Sequence, residues 1–149
     1  MIRIQPIFSW RIRVYWEDTD AGGVVYHAGY LRFLERARTE WLRTLGLSQT
    51  QLRDRHGVVF VVREMTIAFD KPARLDDELD ASVALRQRRS ASLELEQMLT
   101  RTNDEILLTR TNVRVACVGA ANWLPCRIPD DIATLMEANM NSGNGPVHS

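Results

Sequence analysis

The sequence predicts an α+β domain in which one long helix lies across a sheet of antiparallel strands. Three observations carry this. A strand-like alternation opens the chain, a single long amphipathic helical pattern follows, and alternating segments then succeed one another from Val58 to Val118. The short turns between those segments imply antiparallel neighbours, since parallel strands need long crossovers.

From Phe8 to Trp16, FSWRIRVYW alternates at Trp10, Ile12, Val14 and Trp16, the period of a half-buried strand. The alternation stops at Glu17, where EDTDAGG supplies residues suited to irregular backbone. A helical pattern then runs from Val25 or His27 to Leu45. Leu31, Leu34, Ala37, Trp41, Leu42 and Leu45 recur at three- and four-residue spacing as an apolar stripe, while Arg32, Glu35, Arg36, Glu40 and Arg43 charge the remaining surface. Gly46 is placed to end this helix, and Ser48 to cap a short second one, SQTQLRDRH, closed by Gly57. The segment VVFVVREMTIAFD breaks at Lys71-Pro72. ELDASVALRQRR, SLELEQMLTRT and ILLTRTNVRVACV follow, the last after a turn at Asn103-Asp104. Beyond Pro125 and Pro129, DDIATLMEANM reads as a terminal helix. The expectation is a single domain over 1–140 and a disordered tail over 141–149, NSGNGPVHS, which has nothing to bury.

Composition narrows the function classes. With 19 Lys+Arg against 19 Asp+Glu the formal net charge is zero, which argues against the clustered positive surface that nucleic-acid binding needs. The N-terminal MIRIQPIFSW has no apolar run of signal-peptide length, and no stretch of about 18 apolar residues suggests a membrane span. Cys117 and Cys126 form no metal-ligand pattern with a nearby His, and Cys117 reads as a buried reduced thiol. A cytoplasmic protein is expected.

Chemistry concentrates at the strand-to-helix junction. Asp18 and Asp20 stand there with Glu17, beside the flexible pair Gly22-Gly23 and just before a helix N-terminus, where unpaired N–H groups favour negative charge. A carboxylate next to a site that stabilises an oxyanion suits acyl transfer to water. Plainer readings stand beside this one: an Asp before a helix is commonly a cap, Asp with Gly-Gly a turn, and a lone His such as His27 a structural residue. No second His lies close in sequence for a metal site, no G-x-S-x-G elbow occurs, and the glycine pair does not fit a phosphate loop. Spacing alone leaves the function open.

The run YWEDTDAGGVVYHAGYLRFLERARTEWLR closely resembles the signature of the YbgC-type acyl-CoA thioesterases, the Tol–Pal-associated branch of the 4-hydroxybenzoyl-CoA thioesterase family. The resemblance continues through VVFVVREMTIAFDKPARLDDEL and covers roughly Phe8 to Ile128. It implies a hotdog fold, a long central helix wrapped by an antiparallel β-sheet. It makes Asp20, the second Asp of D-x-D-A-G, the essential carboxylate, His27 its partner, and a backbone N–H near His27 the group facing the thioester carbonyl. Around them Gly23, Val24, Tyr26 and Tyr30 are the implied substrate contacts. Gly29 departs from the family, which usually has a bulkier polar residue before the Tyr. Lys71, Arg74, Arg86, Arg88 and Arg89 are candidates for the CoA phosphates, with QRRS as an adenine-nucleotide edge. The implied partners are acyl-CoA, further copies of the chain as a homodimer or homotetramer, and acyl carrier protein. No cofactor is implied, because CoA enters as part of the substrate. Two rival readings remain: a hotdog hydratase or dehydratase using His27 with Glu35 or Glu40, and a module that binds acyl carrier protein with little catalysis.

Overall fold

The computed structural model describes residues 6–142 and 147–148. Its elements in chain order are β1 (Phe8–Arg13), α1 (His27–Thr44), α2 (Gln49–Gln51, running into a wider π turn at Leu52–His56), β2 (Val58–Phe69), β3 (Glu78–Arg88), β4 (Ser92–Arg101), β5 (Leu107–Gly119), α3 (Asp130–Ser142) and β6 (Val147–His148). They form a six-stranded sheet in the order β2-β5-β4-β3-β1-β6. The pairs from β2 to β1 are antiparallel, and β6 runs parallel to β1.

The expected strands form because one set of alternating side chains faces α1. Leu79, Ala81, Val83 and Leu85 of β3 and Leu93, Leu95 and Leu99 of β4 are buried in one core with Phe33, Leu34, Ala37 and Trp41 of the helix. The helix leans on β1 and β3. The β2 side of the sheet is therefore less covered, and from Val62 onward β2 carries exposed residues, among them Val62 and Phe69.

Two parts of the expected pattern shift. Strand β1 ends at Arg13, short of Trp16, which stands 80% exposed in a 3₁₀ turn, Trp16–Asp18. Asp18 causes the turn: its carboxylate accepts the Tyr15 N–H at 2.9 Å, and its own N–H donates to the Tyr15 carbonyl. The helix stripe is centred on Tyr30, Phe33, Leu34, Ala37 and Trp41, and Leu31 lies outside it, 42% exposed. At about 100° per residue, Leu31 is turned away from the centre that these five share.

Helix α3 continues to Ser142, and Val147–His148 lie beside Ser9 and Trp10 of β1. Residues 143–146 and 149 of the expected tail fall outside the described residues. Ile132, Ala133 and Met136 tie α3 to the main core. Cys117 is buried, with its Sγ 3.7 Å from that of Cys126. Burial, reinforced by Cys126, pushes its thiol pKa up to about 12, so it stays protonated at neutral pH.

Candidate active site

The junction between β1 and α1 separates its two aspartates. Asp18 is 5% exposed, holds the Tyr15 N–H, and has Arg32 Nη2 at 4.0 Å, so it is a structural residue. Asp20 is exposed. One oxygen, Oδ1, accepts the Gly22 N–H at 2.8 Å, while Oδ2 has no hydrogen-bond partner among the described residues. The loop around it is firmly built. Gly23 N–H donates to the Asp20 carbonyl at 3.0 Å, Asp20 N–H donates to the Val24 carbonyl at 2.9 Å, and Thr19 bridges Val25. Gly23 has φ +77°, a conformation that favours glycine. The next segment locks the loop from outside, with Val25 N–H donating to the Ala73 carbonyl and Val24 bridged to Arg74. Asp20 is therefore a turn residue but not the cap of α1, whose N-cap is Tyr26.

Tyr26 offers no side-chain cap, and the first turn of α1 contains no acid. The amides of His27 and Ala28 thus have no hydrogen-bond partner among the described residues, with the positive end of the helix dipole behind them. A Cβ at Gly29 would fall 2.8 Å from Val25 Cγ1, so glycine lets this turn pack close to the loop.

Beside the helix end lies a cavity of about 250 Å³, lined by Val24, Val25, His27, Tyr30, Phe69, Asp70, Lys71 and Pro72. Phe69 stands against both rings, its centroid 5.1 Å from that of His27 and 5.4 Å from that of Tyr30. Tyr30 is buried, and its hydroxyl accepts the Ala73 N–H at 3.0 Å. Burial raises its pKa, and the negative charge of Asp20 adds to the rise. Asp20 itself is not in the cavity wall.

Among the expected contacts, Val24, His27, Tyr30 and Lys71 meet in this cavity. Gly23 adjoins it. Tyr26 is 57% exposed, with its ring 5.6 Å from that of His27. Arg88 is not part of this assembly. It ends β3, where Glu137 of α3 engages it. Its neighbour Leu93 is in register with Val115 of β5, while Phe69 is in register with Thr109, six residues or about 20 Å further along that strand. Within one subunit a CoA phosphate at Lys71 is thus remote from Arg88, which already has a carboxylate. Arg86 and Arg89 share that distant hairpin, where Arg86 donates to Asn112 and Arg89 pairs with Glu94. Sequence reasoning missed Phe69, Asp70 and Pro72. Phe69-Asp70 reads as the end of a strand, and only the sheet register shows that this end abuts the helix.

The His27–Glu35 and His27–Glu40 pairings needed by a hydratase are not formed within a subunit. Glu35 is eight residues along α1 from His27, about 12 Å, and Glu40 pairs with Arg43 at 3.0 Å. Among the described residues no cluster of His, Cys, Asp or Glu could hold a metal ion.

Comparison with known proteins places this architecture. Residues 14–135 match the family model of the Thioesterase-like superfamily, so the fold and its junction site define a hotdog protein of the thioesterase class. The acyl-CoA thioesterase YbgC of Haemophilus influenzae is 43% identical over 125 residues, 84% of this chain and 90% of that protein. The acyl-CoA thioester hydrolase YbgC of Escherichia coli O6:H1 is 45% identical over 126 residues, 85% of this chain and 92% of that protein. A crystal structure of a probable thioesterase from Bartonella henselae superposes with a TM-score of 0.76 at 37% identity, covering 81% of this chain and 98% of that one. The chain belongs to the YbgC family of this superfamily.

Proposed function

We propose that the chain hydrolyses acyl-CoA thioesters to free acid and CoA, with Asp20 acting on the thioester carbonyl carbon as general base for water or as nucleophile. The observation that carries this reading is the free Asp20 Oδ2 on a rigid loop beside an uncapped helix N-terminus and a cavity. The open amides of His27 and Ala28 polarise the carbonyl and take up the charge of the tetrahedral intermediate. His27, at the same helix end, orients the attacking group. A thiol has a pKa near 8–9, so thiolate leaves without a strong general acid. That explains why so few side chains suffice. The relatives named acyl-CoA thioesterases support the substrate class, and a cytoplasmic location goes with it.

The active unit is a dimer formed along β2, which can assemble further into a tetramer. Strand β2 is an edge of the sheet; Gln49 engages the backbone N–H and carbonyl of Phe60 near its start, and Val62 and Phe69 are exposed along the remainder. Phe69 to Pro72 at the end of β2 line the cavity. A second subunit at this edge would therefore stand over the cavity and help to exclude water. Lys71 is placed to meet a CoA phosphate there.

The test is thiol release from acyl-CoA by Asp20→Asn. A loss on the order of 10²-fold or more with the oligomer intact is expected, and retention of most activity would overturn the assignment. Incorporation of solvent ¹⁸O into Asp20 in a single turnover would establish the nucleophilic route, with water opening the mixed anhydride at the Asp20 carbonyl carbon.

A further inference from the structure

The two groups that must act on one thioester stand on different elements. Asp20 belongs to the loop 19–25, and the amides of His27 and Ala28 belong to the start of α1. The carboxylate works on the carbonyl carbon and the amides on the carbonyl oxygen, atoms about 1.2 Å apart. The chain between them contains Gly22 and Gly23, so the peptide link alone leaves their separation loose.

The segment 73–75 braces the loop from outside. Val25 N–H donates to the Ala73 carbonyl at 2.9 Å, Val24 is bridged to Arg74, and Leu75 N–H donates to the Gly23 carbonyl at 3.3 Å. The segment is itself held in a turn, in which Arg74 N–H donates to Asp77 Oδ2 at 2.9 Å and Asp77 N–H to the Arg74 carbonyl at 3.1 Å. Ala73 is fully buried, and its N–H donates to the Tyr30 hydroxyl at 3.0 Å. Ala73 thus faces both ways, with its N–H on the first turn of α1 and its carbonyl on the loop.

Tyr30 has no room to swing away. It is buried, with the ring of Phe33 edge-on at 6.5 Å and that of Phe69 at 5.4 Å. Burial, with the charge of Asp20, holds its pKa above the ordinary value, so the hydroxyl stays a neutral phenol at neutral pH. A phenylalanine would pack against the same rings. What the oxygen adds is the bond to Ala73.

We infer that Tyr30 is a positioning residue: its hydroxyl, acting through Ala73, fixes the Asp20 loop against the N-terminus of α1 and so sets the distance between the carboxylate and the amides. This inference rests on the thioesterase reading above. A misplacement of about 1 Å in such a pair lowers turnover by up to about 10²-fold. A loop that is loosened but still bridged should lose less, and it should lose turnover rather than substrate binding.

The experiment measures kcat and KM for the fastest substrate in an acetyl- to palmitoyl-CoA series. Tyr30→Phe should lower kcat by about tenfold and change KM by less than about twofold. Added to Asp20→Asn, it should lower the residual rate by less than about twofold, since no carboxylate remains to be placed. Replacing Ala73 by its α-hydroxy acid exchanges the N–H for an ester oxygen and keeps the tyrosine. It should reproduce the kcat loss, and it decides the matter where Tyr30→Phe does not fold. A merely structural hydroxyl would lower the melting temperature and leave both constants of the folded protein unchanged, which would overturn the inference. A raised KM at constant kcat would overturn it too, as the mark of a binding contact. So would full kcat in the ester variant, or an equal loss with and without Asp20. Absence of hydrolysis for every substrate, or retained activity in Asp20→Asn, would count against the thioesterase reading and remove this inference with it. An inactive Asp20→Asn beside a fully active Tyr30→Phe counts against this inference alone.

Discussion

At its C-terminal end α1 spends its spare carbonyls, and at its N-terminal end it leaves its spare amides open. Gly46 N–H donates to the Arg43 carbonyl at 2.9 Å and Leu47 N–H to the Leu42 carbonyl at 3.0 Å, a Schellman closure with Gly46 at φ +78°. Thr44 Oγ1 adds a bond to the Trp41 carbonyl. The other end has Tyr26 at the N-cap and no side-chain bond. Both ends start with the same number of unpaired groups. A protein that closes one end with a glycine turn could seal the other with a single Ser or Asp. The open end lies beside Asp20 and a cavity, where unpaired donors have a chemical use.

That contrast can be broken from either end. The largest effect is expected at the acid, where Asp20→Asn should lower thiol release on the order of 10²-fold or more. Asp18→Asn in the same loop should reduce thermal stability by about 1–3 kcal/mol, as for a buried acceptor deprived of its charge, and the fold that survives should still turn over. Tyr26→Asp would install the missing cap. The helix should gain up to about 1 kcal/mol in a melting experiment, while turnover falls roughly tenfold or more as the new carboxylate occupies the amides. Tyr26→Phe controls for loss of the hydroxyl. If Tyr26→Asp keeps full activity, the open amides have no catalytic part. At the sealed end, Gly46→Ala should cost about 1–2 kcal/mol of stability, because a Cβ is strained at that φ, with kcat unchanged. Ser48→Ala, which removes the 3.1 Å cap on Gln51 N–H, should cost about 0.5–1 kcal/mol by denaturant titration.

The legible and illegible parts divide along the same line. The strand segments, the span of α1, its stop at Gly46 and the cap at Ser48 were all readable, because each depends on periodicity or on backbone chemistry within a few residues. Trp16 continued the alternation on paper but left the sheet, since Asp18 folded the chain back through the Tyr15 N–H. Leu31 fitted a three-and-four spacing as well as Tyr30 or Phe33, and only the direction from which the sheet approaches decides which of them is buried. Arg88 looked like a phosphate ligand from charge and hairpin position. The packing of α3 instead gave it Glu137.

By itself, then, the sequence determined an α+β chain with one central helix and a loop, Glu17 to Tyr30, carrying the groups that acyl transfer needs. The family resemblance singled out Asp20 within that loop. Tertiary structure alone decided which aspartate keeps a free oxygen, that Phe69 and Pro72 complete the cavity with His27 and Tyr30, and that Ala73 joins Tyr30 of the helix to Val25 of the loop. Local patterns follow from bonds spanning a few residues. Which side chains meet across the sheet depends on register and on the line along which a helix crosses it, and no short stretch of chain encodes either.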